Sequence, residues 1–161
     1  MAKTTQLDSV LILGAGKIGT TVADMLAQYH PRLRVTLADQ SPPSADAAAD
    51  RQVRRIVLDA SRADDLCDAL SAHDAAINCL PFFMAQPVAA MAATCGTHYF
   101  DLTEDVAATH AIRQMAANAS AVLMPQCGLA PGVIGMLGWE LAGRFDTLYD
   151  LRLRVGALTR H

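Results

Sequence analysis

Three glycines, Gly14, Gly16 and Gly19 in the run GAGKIG, are the residues whose types and spacing point most directly to chemistry. The apolar stretch Val10 to Leu13 leads into them and the helical spacing Ile18, Val22, Leu26 leads away, so the glycines lie in a turn between a strand and a helix. Such a turn cradles a diphosphate: Gly14 allows the sharp reversal, Gly16 lets the backbone approach the phosphates, and Gly19 lets the helix pack close to the strand. The helix N-terminus adds unpaired N–H groups and the positive end of its dipole. Lys17 and Ile18 share that first turn and are assigned to the cofactor site with the glycines, Lys17 either touching phosphate or standing in solvent. A second apolar run, Val35 to Ala38, stops at Asp39, 20 residues beyond Gly19, the distance at which an acid reaches the hydroxyls of the adenosine ribose. The cofactor expected is NAD, because Asp39 would repel a 2′-phosphate; Arg51, Arg54 and Arg55 are close enough in sequence to keep NADP open. The competing reading is a parallel α/β protein with an incidental glycine turn and a surface aspartate.

The elements that must position these residues alternate along the chain. After the first helix, ending near Gln28, and a proline-led loop with at most a short alanine-rich helix between Gln40 and Asp50, strands are expected at Val53–Leu58, Ala75–Cys79, His98–Leu102 and Ala121–Pro125. Helices separate them. Ser61 with Asp64 resembles a capping box for one, with Leu66, Ala69 and Leu70 on its inner face. Pro87 opens the next, striped by Val88, Met91, Ala92 and Cys95 and ended by Gly96. Thr103 caps a third, with Glu104 and Asp105 in its first turn and Val106, Ile112, Met115 and Ala116 on or near the buried side. Six strands alternating with helices specify an α/β, doubly wound parallel sheet, a Rossmann fold, with the nucleotide across the carboxyl ends of the strands. A further helix runs from Pro131 to Gly143, and Leu151, Leu153 and Val155 then alternate with Asp150, Arg152 and Arg154, as in a half-wet antiparallel strand. Residues 1–145 therefore read as the dinucleotide-binding domain and 146–161 as the start of a substrate or dimerisation domain that is missing.

Composition narrows the function classes. The chain has 161 residues, 52% hydrophobic and 18% charged, in the range of one globular domain. A net charge of −3 with scattered basic residues speaks against nucleic acid. Cys67, Cys79, Cys95 and Cys127 show no CxxC and no metal spacing with the five histidines, so no metal is expected and the thiols read as reduced, in a cytoplasmic protein. Two uncharged windows, Ala75 to Tyr99 and Gln114 to Trp139, are broken by Pro81 and Pro87 and by Pro125, Gly128, Pro131 and Gly132, which fits buried strands and loops rather than a membrane span.

The sequence resembles the saccharopine dehydrogenase and lysine 6-dehydrogenase superfamily. The segments that carry the likeness are GAGKIGTTVADMLA at 14–27, AINCLPF at 76–82, HYFDLTED at 98–105, QCGLAPGVIG at 126–135 and RVGAL at 154–158. The resemblance implies an NAD(P)-dependent oxidoreductase acting on a C–N bond of an amino acid or polyamine, a homo-oligomer when full length, with a mixed α/β half closing over the substrate. The present sequence lacks almost all of that second half.

Oxidising an amine requires a hydride acceptor, a base and a pocket that excludes water. Candidate groups follow strand ends: Asn78 and Cys79, then Asp101, Thr103 and Glu104, then Gln126 and Cys127. Asp101 reads either as a carboxylate that binds substrate or handles protons, or as a turn residue; Cys127 either lines the nicotinamide end or packs inertly. Thr103 and Glu104 read as cap and first-turn charge, and His98 and His110 receive no role. Topology and family likeness together place Asn78, Cys79, Leu80 and Pro81 beside the cofactor's ribose and nicotinamide, and Asp59 and Ala60 near its adenine. Two other readings stay open: a stand-alone regulatory module that senses NAD or NADH, and a reductase or polyamine synthase of the same superfamily. A sensor would complete its fold near Gly143, so the segment after it discriminates.

Overall fold

The computed structural model describes residues 7–42 and 52–156. The loop expected after Gln40 lies outside the described residues from position 43, as do Arg51 and the chain beyond Gly156. Six strands, β1 (Ser9–Leu13), β2 (Arg34–Asp39), β3 (Val53–Val57), β4 (Ala75–Asn78), β5 (His98–Asp101) and β6 (Leu123–Met124), form one sheet in the order β3-β2-β1-β4-β5-β6. Every pairing is parallel. The order reverses at β1, so a crevice opens between the loops that follow β1 and β4.

Period-two alternation in β1 builds two cores. Leu11 and Leu13 face one layer, packed with Leu66 and Leu70 of α2 (Ala63–Ser71), Val88 and Ala92 of α3 (Ala85–Cys95) and Ile112 of α4 (Val106–Ala116). Val10 and Ile12 face the other, against Ala23 and Ala27 of α1 (Lys17–Tyr29). A strand buried on both sides must be apolar throughout, which is why the opening run shows no alternation of polar residues. His73 ties the first layer together, its ring nitrogens lying 2.9 Å from Thr36 Oγ1 and 2.7 Å from the Ala69 carbonyl.

Local boundaries differ from the sequence expectations where side chains find nearer partners. Ser61 makes no capping box, because Asp59 Oδ1 accepts both its hydroxyl (2.6 Å) and its N–H (2.9 Å); Arg62 stands at the N-cap position of α2 without a side-chain cap, and its guanidinium pairs with Asp65 at 2.9 Å. Thr103 is likewise not the cap of α4. Its hydroxyl accepts the Asp105 N–H, and Asp105 caps through the Ala108 N–H at 2.6 Å, which leaves Val106 exposed rather than buried. Pro87 is the third residue of α3 instead of the first, after a 3-10 turn over Phe82–Met84, still within the turn where a missing N–H costs nothing. Gly96 ends α3 as expected.

Helix α5 (Val133–Ala142) follows β6, but residues 148–156 form no strand. Leu151 and Leu153 instead lie over Gly138 of α5, where a Cβ would stand 3.1 Å from both Leu153 methyl carbons. An amphipathic segment without a partner strand uses its apolar side against the nearest helix. The feature expected to separate an enzyme from a sensor is therefore not formed as a strand.

Asp74, just before β4, pins the start of β1. Its Oδ2 accepts the Ser9 hydroxyl at 2.7 Å and the Asp8 and Ser9 N–H groups at 3.0 and 2.9 Å. The Ser9 hydroxyl first, then the Asp8 N–H, hold its pKa below the ordinary carboxylate value. A pKa lowered by folding gives stability that is present above the unfolded value, about 3.9, and is lost as pH falls through the folded one. The thermal midpoint should therefore fall as pH drops below about 4, and Asp74→Asn should make that limb shallower; an unchanged profile would remove Asp74 from the acid response.

Candidate functional site

The loops after β1, β2, β3 and β4 enclose a cleft of about 440 Å³. Gly14 forms its floor with φ of 97°, a conformation that side chains rarely adopt, and its N–H donates to the Ala38 carbonyl at 2.8 Å. Gly19 sits where a Cβ would overlap the Gly14 carbonyl oxygen, so α1 can approach the turn this closely only with glycine. Gly16 has ordinary backbone angles and, among the described residues beyond its chain neighbours, no atom within 4 Å of where its Cβ would stand. Nothing in the fold demands a glycine there. The N-terminus of α1 carries no side-chain cap and no acidic residue in its first turn, so its positive end is left for an external anion.

Asp39 ends β2 and faces this turn: its Oδ2 accepts the Ala15 N–H at 2.7 Å and its Oδ1 the Ser41 N–H at 2.9 Å. The Ser41 bond first, then that from Ala15, hold its pKa low, so it is an anion at neutral pH with lone pairs left for further donors. Asp59 and Ala60 line the same cleft from the end of β3, and Cys79, Leu80 and Pro81 line it from the opposite wall. Burial pushes the Cys79 thiol up to about 11, so it contributes an apolar, protonated surface.

A second chamber of about 240 Å³ shares Cys79 and Leu80 and holds Ile18, Asn78, Asp101 and Glu104. Under it lies a buried network set by the β4–β5 register, in which Asn78 is opposite Asp101. Asn78 Nδ2 donates to the Tyr99 hydroxyl at 3.1 Å, which reaches Asp101 Oδ2 at 2.8 Å and the Ala85 carbonyl at 3.0 Å. Asp101 Oδ1 accepts the Thr103 and Gln126 N–H groups at 2.9 and 3.1 Å. One carboxylate thus fixes the loops after β5 and β6. Burial, with the Asp101 charge adding to it against the Asn78 bond, holds the Tyr99 hydroxyl well above the usual phenol range.

The structure brings together Gly14, Gly16, Asp39, Asp59, Ala60, Cys79, Leu80 and Pro81 around the first chamber and Ile18, Asn78 and Asp101 around the second, with Gly19 packed beneath the turn. Lys17 is exposed on the first turn of α1, and Cys127 lines neither chamber. The Cys127 thiol donates to the Met124 carbonyl at 3.3 Å, and burial, then the Asp101 charge, push its pKa up, so it stays protonated. Sequence reasoning missed Phe82, Phe83, Met84 and Tyr99. The aromatic pair directly after Leu80-Pro81 was the available signal for the first two, and the period-two spacing to Asp101 for Tyr99. A wider apolar groove of about 570 Å³ lies at the opposite edge of the sheet, near the amino ends of β1, β2 and β4, away from the glycine turn.

These residues fit a dinucleotide: the open space at Gly16, next to an uncapped helix N-terminus and the Asp39 carboxylate, has room and donors for a diphosphate. The family model described as the saccharopine dehydrogenase NADP binding domain matches residues 10–124. Among solved structures, the chain is similar to apo saccharopine dehydrogenase (L-Glu forming) from Saccharomyces cerevisiae, with 24% identity, a TM-score of 0.76, and coverage of 85% of this chain and 31% of that one. UDP-N-acetylglucosamine 3-dehydrogenase from Acidithiobacillus ferrooxidans gives 23% identity, a TM-score of 0.60 and coverage of 84% and 41%. Apo scyllo-inositol dehydrogenase from Lactobacillus casei gives 18%, 0.59, 76% and 37%. The chain spans between about a third and two fifths of the length of these proteins, and the likeness to them establishes the fold. With the family match covering most of its length, the chain belongs to the saccharopine dehydrogenase NADP-binding-domain family and is an NAD(P)-binding domain of Rossmann type.

Proposed function

We propose that the chain is the cofactor-binding part of an oxidoreductase acting on a C–N bond of an amino acid or polyamine. The observation that carries the cofactor half of this reading is the open space above Gly16, flanked by Asp39 and the uncapped start of α1; the substrate half rests on the resemblance of the segments at 76–82, 98–105 and 126–135. Gly14, Gly16 and Gly19, with the N–H groups of Lys17 and Ile18, hold the diphosphate; Asp39 accepts from the adenosine ribose; Asp59 and Ala60 flank the adenine; Asn78, Cys79, Leu80 and Pro81 face the second ribose and the nicotinamide. The bound cofactor supplies hydride exchange. Asp101 stands where an amine proton would be taken or given, with Cys127 behind it as a protonated thiol. A following domain would supply the rest of the pocket, and the exposed apolar side chains of α5 and its tail, among them Met136, Trp139 and Leu153, suit a surface that such a domain covers.

The anionic Asp39 favours NAD over NADP in this chain. Arg55 turns to Asp24 of α1 at 4.0 Å, neither Arg54 nor Arg55 lines the cleft, and Arg62, next to the cleft-lining Ser61, pairs with Asp65 at 2.9 Å. Fluorescence titration should give NADH about tenfold or more tighter binding than NADPH, a gap of at least ~1.4 kcal/mol. Asp39→Ala should narrow it from both sides. Equal affinities unchanged by the substitution would take Asp39 out of the site. The substrate half of the proposal is tested in the full-length protein, by NAD-dependent turnover of lysine, saccharopine or polyamines; turnover of sugars alone would overturn it.

A further inference from the structure

Two of the four cysteines meet in the packing between α2 and α3. Cys67 Sγ and Cys95 Sγ are 3.2 Å apart, although 28 residues separate them in the chain, and the Cys95 thiol also points at the Cys67 carbonyl at 3.8 Å. Both are free thiols at half-buried positions, and among the described residues no metal-holding cluster of three or more His, Cys, Asp or Glu includes them. To become a disulfide the two sulfurs must close by only about 1.2 Å. Cys79 and Cys127 have no such neighbour: one is walled in beside the cleft and the other bonds to backbone carbonyls.

We propose that Cys67 and Cys95 form a reversible thiol–disulfide site that staples α2 to α3, with a small-molecule disulfide as the oxidant. In the first step the thiolate of one cysteine attacks the small disulfide, forming a mixed disulfide and expelling one small thiolate. The second cysteine, deprotonated by solvent, then attacks the protein sulfur of that mixed disulfide and expels the second small thiolate. Two cysteine protons end on two small thiols; the protein pair is oxidised by two electrons and the reagent reduced by two. The position gives the staple a consequence. Helix α2 begins just after Asp59–Ser61 and α3 just after Leu80–Met84, segments that line opposing walls of the cleft, so a covalent link fixes the spacing of the two helices that carry those walls. The site stands independently of the proposed substrate class.

The test is incubation of the folded chain with glutathione disulfide, followed by alkylation, digestion and mass spectrometry. The expected product is a Cys67–Cys95 cross-linked peptide, two hydrogens lighter than the reduced pair, with Cys79 and Cys127 alkylated. The thermal midpoint should rise by roughly 5 to 10 °C and return on treatment with dithiothreitol. Cys67→Ser and Cys95→Ser should each abolish both changes while keeping the reduced protein's circular dichroism. In guanidinium the same oxidant should give mixed pairings, because proximity is lost. Stable glutathione adducts without a cross-link, full alkylation of all four cysteines, or a cross-link that lowers the midpoint would each overturn the proposal.

Discussion

Gly16→Ala should leave the protein folded and cost it the cofactor. The backbone at Gly16 has φ of −69°, which alanine adopts freely, and the added methyl meets no atom within 4 Å among the described residues beyond its chain neighbours. The thermal midpoint should therefore stay within about 2 °C of the parent. The same methyl enters the space proposed for the diphosphate, so NADH affinity should fall at least tenfold, about 1.4 kcal/mol or more. Gly19→Ala provides the contrast, because its Cβ would overlap the Gly14 carbonyl oxygen and either α1 or the turn must move. Overpacking against backbone costs about 1–3 kcal/mol or more, and binding should fall with stability rather than apart from it. Calorimetry and a fluorescence titration on the two variants separate the roles. Undiminished affinity in Gly16→Ala would place the diphosphate elsewhere.

The glycines and Asp39 were legible because each answers a constraint visible in one dimension. A strand must be apolar to be buried on both faces, the reversal needs a positive φ at Gly14, and the next strand ends at Asp39 wherever the helix between them has the usual length. Caps were less legible. Ser61 and Thr103 have the right types for helix starts, but an aspartate two residues away takes the bonds of the first, and the second serves the backbone of Asp105. Choosing among several polar side chains within reach of one helix end depends on backbone angles that sequence does not report. The Asn78–Tyr99 link and the Cys67–Cys95 contact were out of reach for a different reason: each joins two elements through strand register or helix packing, whereas the Tyr99–Asp101 bond lies within one strand at a spacing of two. The alternation after Leu148 predicts an antiparallel strand, whereas Leu151 and Leu153 lie over Gly138 of α5 and no strand forms there among the described residues.

Asp101 offers the sharpest test of structure against chemistry. Its side chain is 2% exposed and receives three donors, the Thr103 and Gln126 N–H groups and the Tyr99 hydroxyl. Asp101→Ala orphans all three at once in a buried place and opens a small void, which should cost about 3–5 kcal/mol and loosen the loops after β5 and β6. Asp101→Asn should cost under ~1 kcal/mol, because the network can rewire. The new amide oxygen takes the Oδ1 position and keeps both N–H donors. Its NH₂ then donates to the Tyr99 hydroxyl, which still accepts from Asn78 and turns its own proton to the Ala85 carbonyl at 3.0 Å. The asparagine variant is therefore a folded protein without the negative charge. In the full-length enzyme, turnover that falls a hundredfold or more in Asp101→Asn, with NADH affinity intact, assigns the charge to the reaction. Turnover that survives in Asp101→Asn and disappears only in Asp101→Ala assigns Asp101 to the scaffold, and proton handling must then pass to another group, Glu104 of the same chamber or a residue outside this chain.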